Sequence, residues 1–168
     1  MAILQKLKEH FSRDSVTLDL QDIQALILRS RPEPYVGVHA MLHFDEAAGA
    51  RNLLGRLAPH IASADNWSED LDFWIGAALS FEGLKALGVP DAQLKTFPLP
   101  FQQGMAARAE QLRDFGPNAP ENWEDVFKPG NCHLALTIYA VDDDALDKAL
   151  ATARTELDRS SGVTLLGE

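Results

Sequence analysis

Residues 36–44 read Val-Gly-Val-His-Ala-Met-Leu-His-Phe, and the apolar side chains recur at every second position. In an extended chain, the odd-numbered and even-numbered side chains of such a stretch point to opposite sides, so one side is apolar and the other mixed. Residues 71–79 and 132–141 alternate in the same way. The three stretches therefore predict strands of a sheet that is covered on one face.

Helix-forming segments separate these strands. We expect Asp45 to cap a helix over residues 45–57, and Phe81–Leu87 to form a short helix that ends at Gly88. Asp142-Asp143-Asp144 is expected to cap a long helix that runs to about Arg159 and to place carboxylates at its positive end. A last short strand follows at 163–166. The order β-α-β, insertion, β-α-β predicts an α+β fold, a ferredoxin-like antiparallel sheet with helices on one face.

The chain divides into an extension and one domain. Residues 1–20 predict an N-terminal helical extension, because Ile3, Leu4, Leu7 and Phe11 recur at helical spacing. We expect residues 21–168 to form the ferredoxin-like domain, with a helical insertion at about 90–130. Within that insertion, residues 103–113 favour one helix.

Composition narrows the possible partners and the cellular location. A net charge of −10 and a pI near 4.8 argue against binding to nucleic acid or to an anionic membrane surface. No run of eighteen apolar residues is present, so we expect a cytoplasmic protein. The single cysteine, Cys132, cannot form a disulfide within one chain.

Four stretches carry a family resemblance, in relative order and over nearly the whole chain from Asp22 onward. They are Asp22-Ile23-Gln24-Ala25, then Phe81-Glu82-Gly83-Leu84-Lys85-Ala86-Leu87-Gly88, then Phe101-Gln102-Gln103-Gly104-Met105-Ala106-Ala107-Arg108, and finally Gly116-Pro117-Asn118-Ala119-Pro120-Glu121-Asn122-Trp123. Together they resemble the N-terminal half of dye-decolourising (DyP-type) haem peroxidases. Ala25 departs from the glycine of the family pattern.

The resemblance implies a fold of the dimeric α+β barrel type, haem b as the cofactor of the parent family, and hydrogen-peroxide-dependent oxidation of dyes or phenols. In that family a G-x-x-D-G stretch with the catalytic aspartate follows the fourth strand, and the proximal histidine and distal arginine lie further on. Residues up to Glu168 contain no such stretch, and Gly88-Val89-Pro90-Asp91-Ala92 lacks its final glycine. We therefore assign no catalytic, cofactor-binding or metal-binding residue, expect no haem bound specifically to this chain alone, and expect the chain alone to be inactive.

The strand alternation also predicts a partner-facing surface. The face opposite the helices should carry His39, Met41, His43, Trp74, His133 and Tyr139. In a functional interpretation this face meets the missing C-terminal peroxidase half, and Trp74 and Tyr139 carry electrons. The alternative is a half-polar face that packs against another domain or a second copy, in a non-catalytic module that acts by association. A shared metal is not expected, because His39 and His43 would lie roughly 13 Å apart along a strand.

Overall fold

In the computed structural model, the described residues are 18–28, 35–65 and 71–168. Residues 1–17 of the predicted N-terminal extension lie outside these ranges, as do Pro32 and Pro34. Within them, no helix is long and apolar enough to cross a membrane.

Four antiparallel strands form one sheet. They are β1 (Val36–Phe44), β2 (Phe73–Leu79), β3 (Leu134–Ala140) and β4 (Val163–Gly167). Their order in the sheet is β2-β3-β1-β4, so β1 and β3 are central and β2 and β4 are the edges. This order with these connections is that of the split βαβ fold, which confirms the predicted ferredoxin-like α+β class.

Two long helices cover one face of the sheet. They are α2 (Ala47–Leu57) and α7 (Asp143–Asp158). The remaining helices are short: α1 (Ala25–Leu28), α3 (Phe81–Ala86), α4 (Asp91–Leu94), α5 (Leu99–Gln103) and α6 (Ala109–Leu112). Single 3-10 turns occur at Ala58–His60, Ala106–Arg108, Gly116–Asn118, Pro120–Asn122 and Asp125–Phe127.

The core lies between the sheet and the two long helices, as the strand alternation predicts. Leu42, Leu53, Leu57, Leu134 and Leu136 are buried together under α2. Under α7, the small residues Ala149 and Ala153 pack against Ile75 and Ile138. The side that faces this core is therefore the even-numbered side of β1 and β3 and the odd-numbered side of β2.

The two predicted helix caps have different outcomes. Asp142 caps α7, and its side chain accepts a hydrogen bond from the Ala145 amide at 2.9 Å, as expected. The cap predicted at Asp45 is wrong, because Glu46 occupies the N-cap position of α2 and makes no side-chain cap bond. Asp45 instead accepts a hydrogen bond from the Thr164 hydroxyl on β4, at 2.8 Å.

The insertion between α3 and β3 contains several short helices, so the single helix predicted over residues 103–113 is wrong. Gly104 has a φ of 71° and ends α5, and Arg113 at the end of α6 has a φ of 62°. Both values lie in the left-handed region, which a continuous helix cannot accommodate. Helix propensity alone did not reveal these breaks.

Candidate functional site

The central strands carry an exposed polar and aromatic strip on the face opposite the long helices. His39 on β1 lies opposite Thr137 on β3, and His39 Nδ1 is 3.0 Å from Thr137 Oγ1. The Tyr139 ring meets His39 and Tyr35 edge-on, with centroid distances of 6.0 and 5.3 Å. Gly37 pairs with Tyr139, and a Cβ at Gly37 would overlap the tyrosine ring. Because Gly37 has no side chain, the Tyr139 ring can lie over this position of the strip.

The same face is covered where β2 passes. Trp74 pairs with Tyr139 in register, yet only 1% of its surface is exposed. Leu26 of α1 lies against Gly76, with its Cδ1 3.0 Å from the position that a Cβ there would take. The expectation of a face without a helix is therefore wrong at β2. The stretch 22–28 is too short, and its pattern too irregular, for its packing on β2 to be predicted from sequence.

Gln24, just before α1, attaches this segment to β2 at the edge of the sheet. Its side-chain amide donates to the Ala77 carbonyl and accepts from the Ala77 amide, both at 2.8 Å. Isolated bridges join Gln24 to Ser63 and Ile61 to Ile75 on the same side. These bonds occupy backbone groups that an edge strand otherwise presents to other chains.

A stacked pair of imidazoles lies at the opposite end of β1. The ring centroids of His43 and His133 are 4.1 Å apart, with 26° between their planes. His133 lies just before β3, and only 7% of its surface is exposed. Its carbonyl lies directly against α3, where a Cβ at Gly83 would overlap the oxygen. Both the strand end and the helix start therefore pack against His133.

Hydrogen bonds define the proton positions in this pair. His133 Nδ1 accepts from the Phe44 amide at 2.9 Å, so this nitrogen carries no proton. The Gly130 backbone acts on the same ring in the direction that raises the pKa of His133. His43 Nδ1 donates to the Asn131 carbonyl at 2.7 Å. The two side chains thus bind residues 130–133 to the end of β1.

Burial changes the acid–base behaviour of two neighbouring groups. It lowers the pKa of His133 below its usual value, and the nearby His43 imidazole adds to that effect. Burial also raises the pKa of the Cys132 thiol, so at neutral pH this thiol is protonated and a weak nucleophile. Cys132 Sγ lies 3.7 Å from Met41 Sδ.

Beside this cluster lies a groove of about 920 Å³ between α3 and the insertion. Its apolar walls include Phe81, Phe101, Trp123 and Phe127, and Cys132 lies within it. The sequence analysis missed the groove. The available signal was the density of aromatic residues in an insertion that has almost no buried side chain of its own.

The described residues of the groove supply no axial ligand for a haem. Haem iron needs an axial ligand such as histidine or thiolate. No histidine lines the groove, and the one thiol there has a raised pKa. His133 is buried, and its Nδ1 accepts a hydrogen bond from the Phe44 amide. Among residues 18–28, 35–65 and 71–168, no three His, Cys, Asp or Glu side chains are grouped to hold a metal ion.

The six residues predicted for the partner-facing surface thus fall into three places. His39 and Tyr139 form the exposed strip, whereas Met41, His43 and His133 belong to the cluster at the end of β1. Trp74 is buried at β2. Their role in facing a partner stays a prediction.

Comparison with known proteins identifies the family. The model of the DyP dimeric alpha+beta barrel domain matches residues 47–165. No curated protein matches the chain in sequence.

Solved structures with the same fold include an ancestral D-type dye-decolorizing peroxidase, with 23% identity and a TM-score of 0.74 over 88% of this chain. DyP2 from Amycolatopsis sp. has 22% identity and a TM-score of 0.71 over 88%. A fungal DyP-type peroxidase from Auricularia auricula-judae has 22% identity and a TM-score of 0.72 over 91%. This chain covers 33%, 32% and 33% of these three structures, so it spans about a third of their length. Because the family model matches most of the chain, the protein belongs to the family of the DyP dimeric alpha+beta barrel domain, the N-terminal domain of dye-decolourising peroxidases.

Proposed function

We propose that this chain is the non-catalytic N-terminal part of a DyP-type haem peroxidase, and that it works with a polypeptide that supplies the haem ligand and the acid–base residues. The complete enzyme would oxidise dyes or phenols with hydrogen peroxide. The main support is the match of about 90% of this chain to only a third of each solved peroxidase. The proposed cytoplasmic location rests on the sequence alone.

The chemistry of the described residues supports separate roles for this chain and for the polypeptide that supplies the reacting groups. Peroxidase turnover needs an axial ligand on the iron and a proton-transferring group beside the bound peroxide. The three histidines on or beside the sheet face make hydrogen bonds to protein groups, and the groove has no histidine. These contacts support our proposal that the chain shapes and covers a site, and that the reacting groups come from elsewhere.

A dye-bleaching assay tests the proposal. The chain is mixed with haemin and hydrogen peroxide, and its rate is compared with that of haemin alone. We expect equal rates for the wild type and for His39→Asn, which removes the exposed imidazole of the strip. A rate well above that of free haemin that one histidine substitution abolishes would refute the proposal.

The second candidate function is association without catalysis, in which two copies meet through the helix-free face. The exposed side chains of His39 and Ala78 and the half-buried Met41 and Tyr139 favour it, because an uncovered sheet face of mixed polarity is typical of an interface. Light scattering at increasing concentration separates the two functions. A dimer that Tyr139→Glu dissociates supports association, whereas a monomer at high concentration contradicts it.

One further observation distinguishes these functions cheaply. The proposed peroxidase predicts that the reading frame continues past Glu168 into a G-x-x-D-G stretch, or that a separate gene encodes the rest. The association module predicts neither.

A further inference from the structure

We propose that the stacked His43–His133 pair is an acid-sensitive switch that releases residues 130–133, the end of the insertion, from the end of β1. The switch depends on the hydrogen bond from the Phe44 amide to His133 Nδ1, which exists only while His133 is neutral. It operates without unfolding the sheet.

Residues 130–133, here called the junction, are held to the end of β1 by hydrogen bonds. Three N–H hydrogen bonds attach residues 130–133 to β1, two of which use imidazole rings, and Cys132 Sγ also lies 3.7 Å from Met41 Sδ on that strand. These bonds join Phe44 N to His133 Nδ1 at 2.9 Å, His43 Nδ1 to the Asn131 carbonyl at 2.7 Å, and His133 N to the Leu42 carbonyl at 2.8 Å. A proton on His133 Nδ1 removes the acceptor of the first bond and leaves the Phe44 amide without a partner, because a protonated imidazole has only donors.

Charged groups surround the His133 ring. His133 faces His43 on β1, with Asp45 just beyond that strand and Glu82 on α3. His43 Nε2 lies 4.0 Å from Asp45 Oδ1, so a proton on His43 has a carboxylate beside it. Glu82 is already paired with Lys85 at 2.9 Å, which reduces its help to His133. When both His43 and His133 carry a positive charge, the two like charges are therefore about 4 Å apart.

The stability of the closed form depends on pH through the pKa of His133. The pKa of His133 is lowered from its ordinary value of 6.5 in the closed form, chiefly because of burial. When residues 130–133 separate from β1, the ring becomes solvated and its pKa returns towards 6.5. The open form thus binds more protons than the closed form, so the closed form loses stability as the pH falls below about 6.5. For one linked proton, the open population rises about tenfold per pH unit until the lowered pKa is reached.

The single cysteine of the chain reports on this opening. Cys132 lies inside the junction and is partly buried against Met41. Its labelling by 4,4′-dithiodipyridine is followed from pH 7.5 to 4.5, and each rate is divided by that of free cysteine at the same pH. We expect this ratio to rise about tenfold per pH unit below about 6.5, while the far-UV circular dichroism stays constant.

Three variants isolate the histidines. His133→Asn retains an acceptor near the Nδ1 position but cannot take up a proton there, and it should make the ratio independent of pH. His43→Gln removes the like charge and retains a donor for the Asn131 carbonyl. The closed-form pKa of His133 should then be less lowered, so the rise should begin at the same pH but level off at a higher pH and with a smaller amplitude. His39→Asn changes an exposed imidazole on the same strand and should behave like the wild type.

The proposal is overturned by a flat wild-type ratio, by a rise in His133→Asn that equals the wild-type rise, or by loss of the circular dichroism over the same pH range. If His133→Asn does not fold, NMR titration of the wild type decides. The His133 ring should titrate below 6.5, together with the Phe44 amide. A His133 ring that titrates at 6.5 or above, with the Phe44 amide unchanged, overturns the proposal.

Discussion

Truncation of Leu136 to alanine tests the assignment of the two sheet faces on which the account depends. Leu136 is 4% exposed, lies on the central strand β3 and belongs to the core under α2. Its register partners are Ala40 on β1 and Ala77 on β2, which are too short to fill the space that the leucine leaves. We therefore expect Leu136→Ala to lower the free energy of unfolding by roughly 3–4 kcal/mol, within the range of Leu-to-Ala truncations in cores.

Urea unfolding followed by circular dichroism measures this loss, and Tyr139→Phe is the matched control on the opposite face of the same strand. Tyr139→Phe keeps the edge contacts of the ring with Tyr35 and His39 and should cost about 1 kcal/mol or less. If Leu136→Ala is silent, or if Tyr139→Phe is equally destabilising, the faces have been reversed, since a one-residue slip exchanges all side chains between faces.

Substitutions of Gln24 and Asp142 test the attachment of the segment before α1 to β2 and the cap of α7. Gln24→Ala removes both bonds to Ala77 and should lower the stability by about 1–2 kcal/mol. It should also speed hydrogen exchange of the Ala77 amide, and an unchanged exchange rate would show that Gln24 does not protect the edge. Asp142→Ala removes the cap of α7 and should cost about 1 kcal/mol in thermal or urea unfolding. Asp143→Ala, which lies one position into the helix, should cost only a few tenths of a kcal/mol, and equal costs would contradict a specific cap.

The sheet could be predicted from sequence because its pattern is periodic. The alternation in residues 36–44 and 132–141 predicts which side of β1 and β3 faces the core. For both strands the predicted side is the one observed in the core. Asp142 was also predictable, because a carboxylate directly before a helix has a local hydrogen-bonding role. These features depend on neighbouring residues in the chain.

The features that the sequence did not reveal depend on distant residues. Gln24 meets Ala77 across 53 positions and His43 meets His133 across 90, so no local pattern indicates either contact. Asp45 bonds to Thr164, 119 positions away, which explains why its expected role as a helix cap is not fulfilled. The parity of Trp74 was predicted, whereas its burial was not, because the strand pattern does not show which other segments pack on β2.

A haemin titration tests the central claim most directly, because the claim is that this domain lacks a haem ligand of its own. Haemin is added to the chain and the Soret band is followed, with His39→Asn, His43→Gln and His133→Asn titrated in parallel. We predict weak spectral changes without a one-to-one endpoint, identical in all four proteins. A sharp one-to-one endpoint with a histidine-ligated spectrum, lost in one of the three variants, would contradict the account.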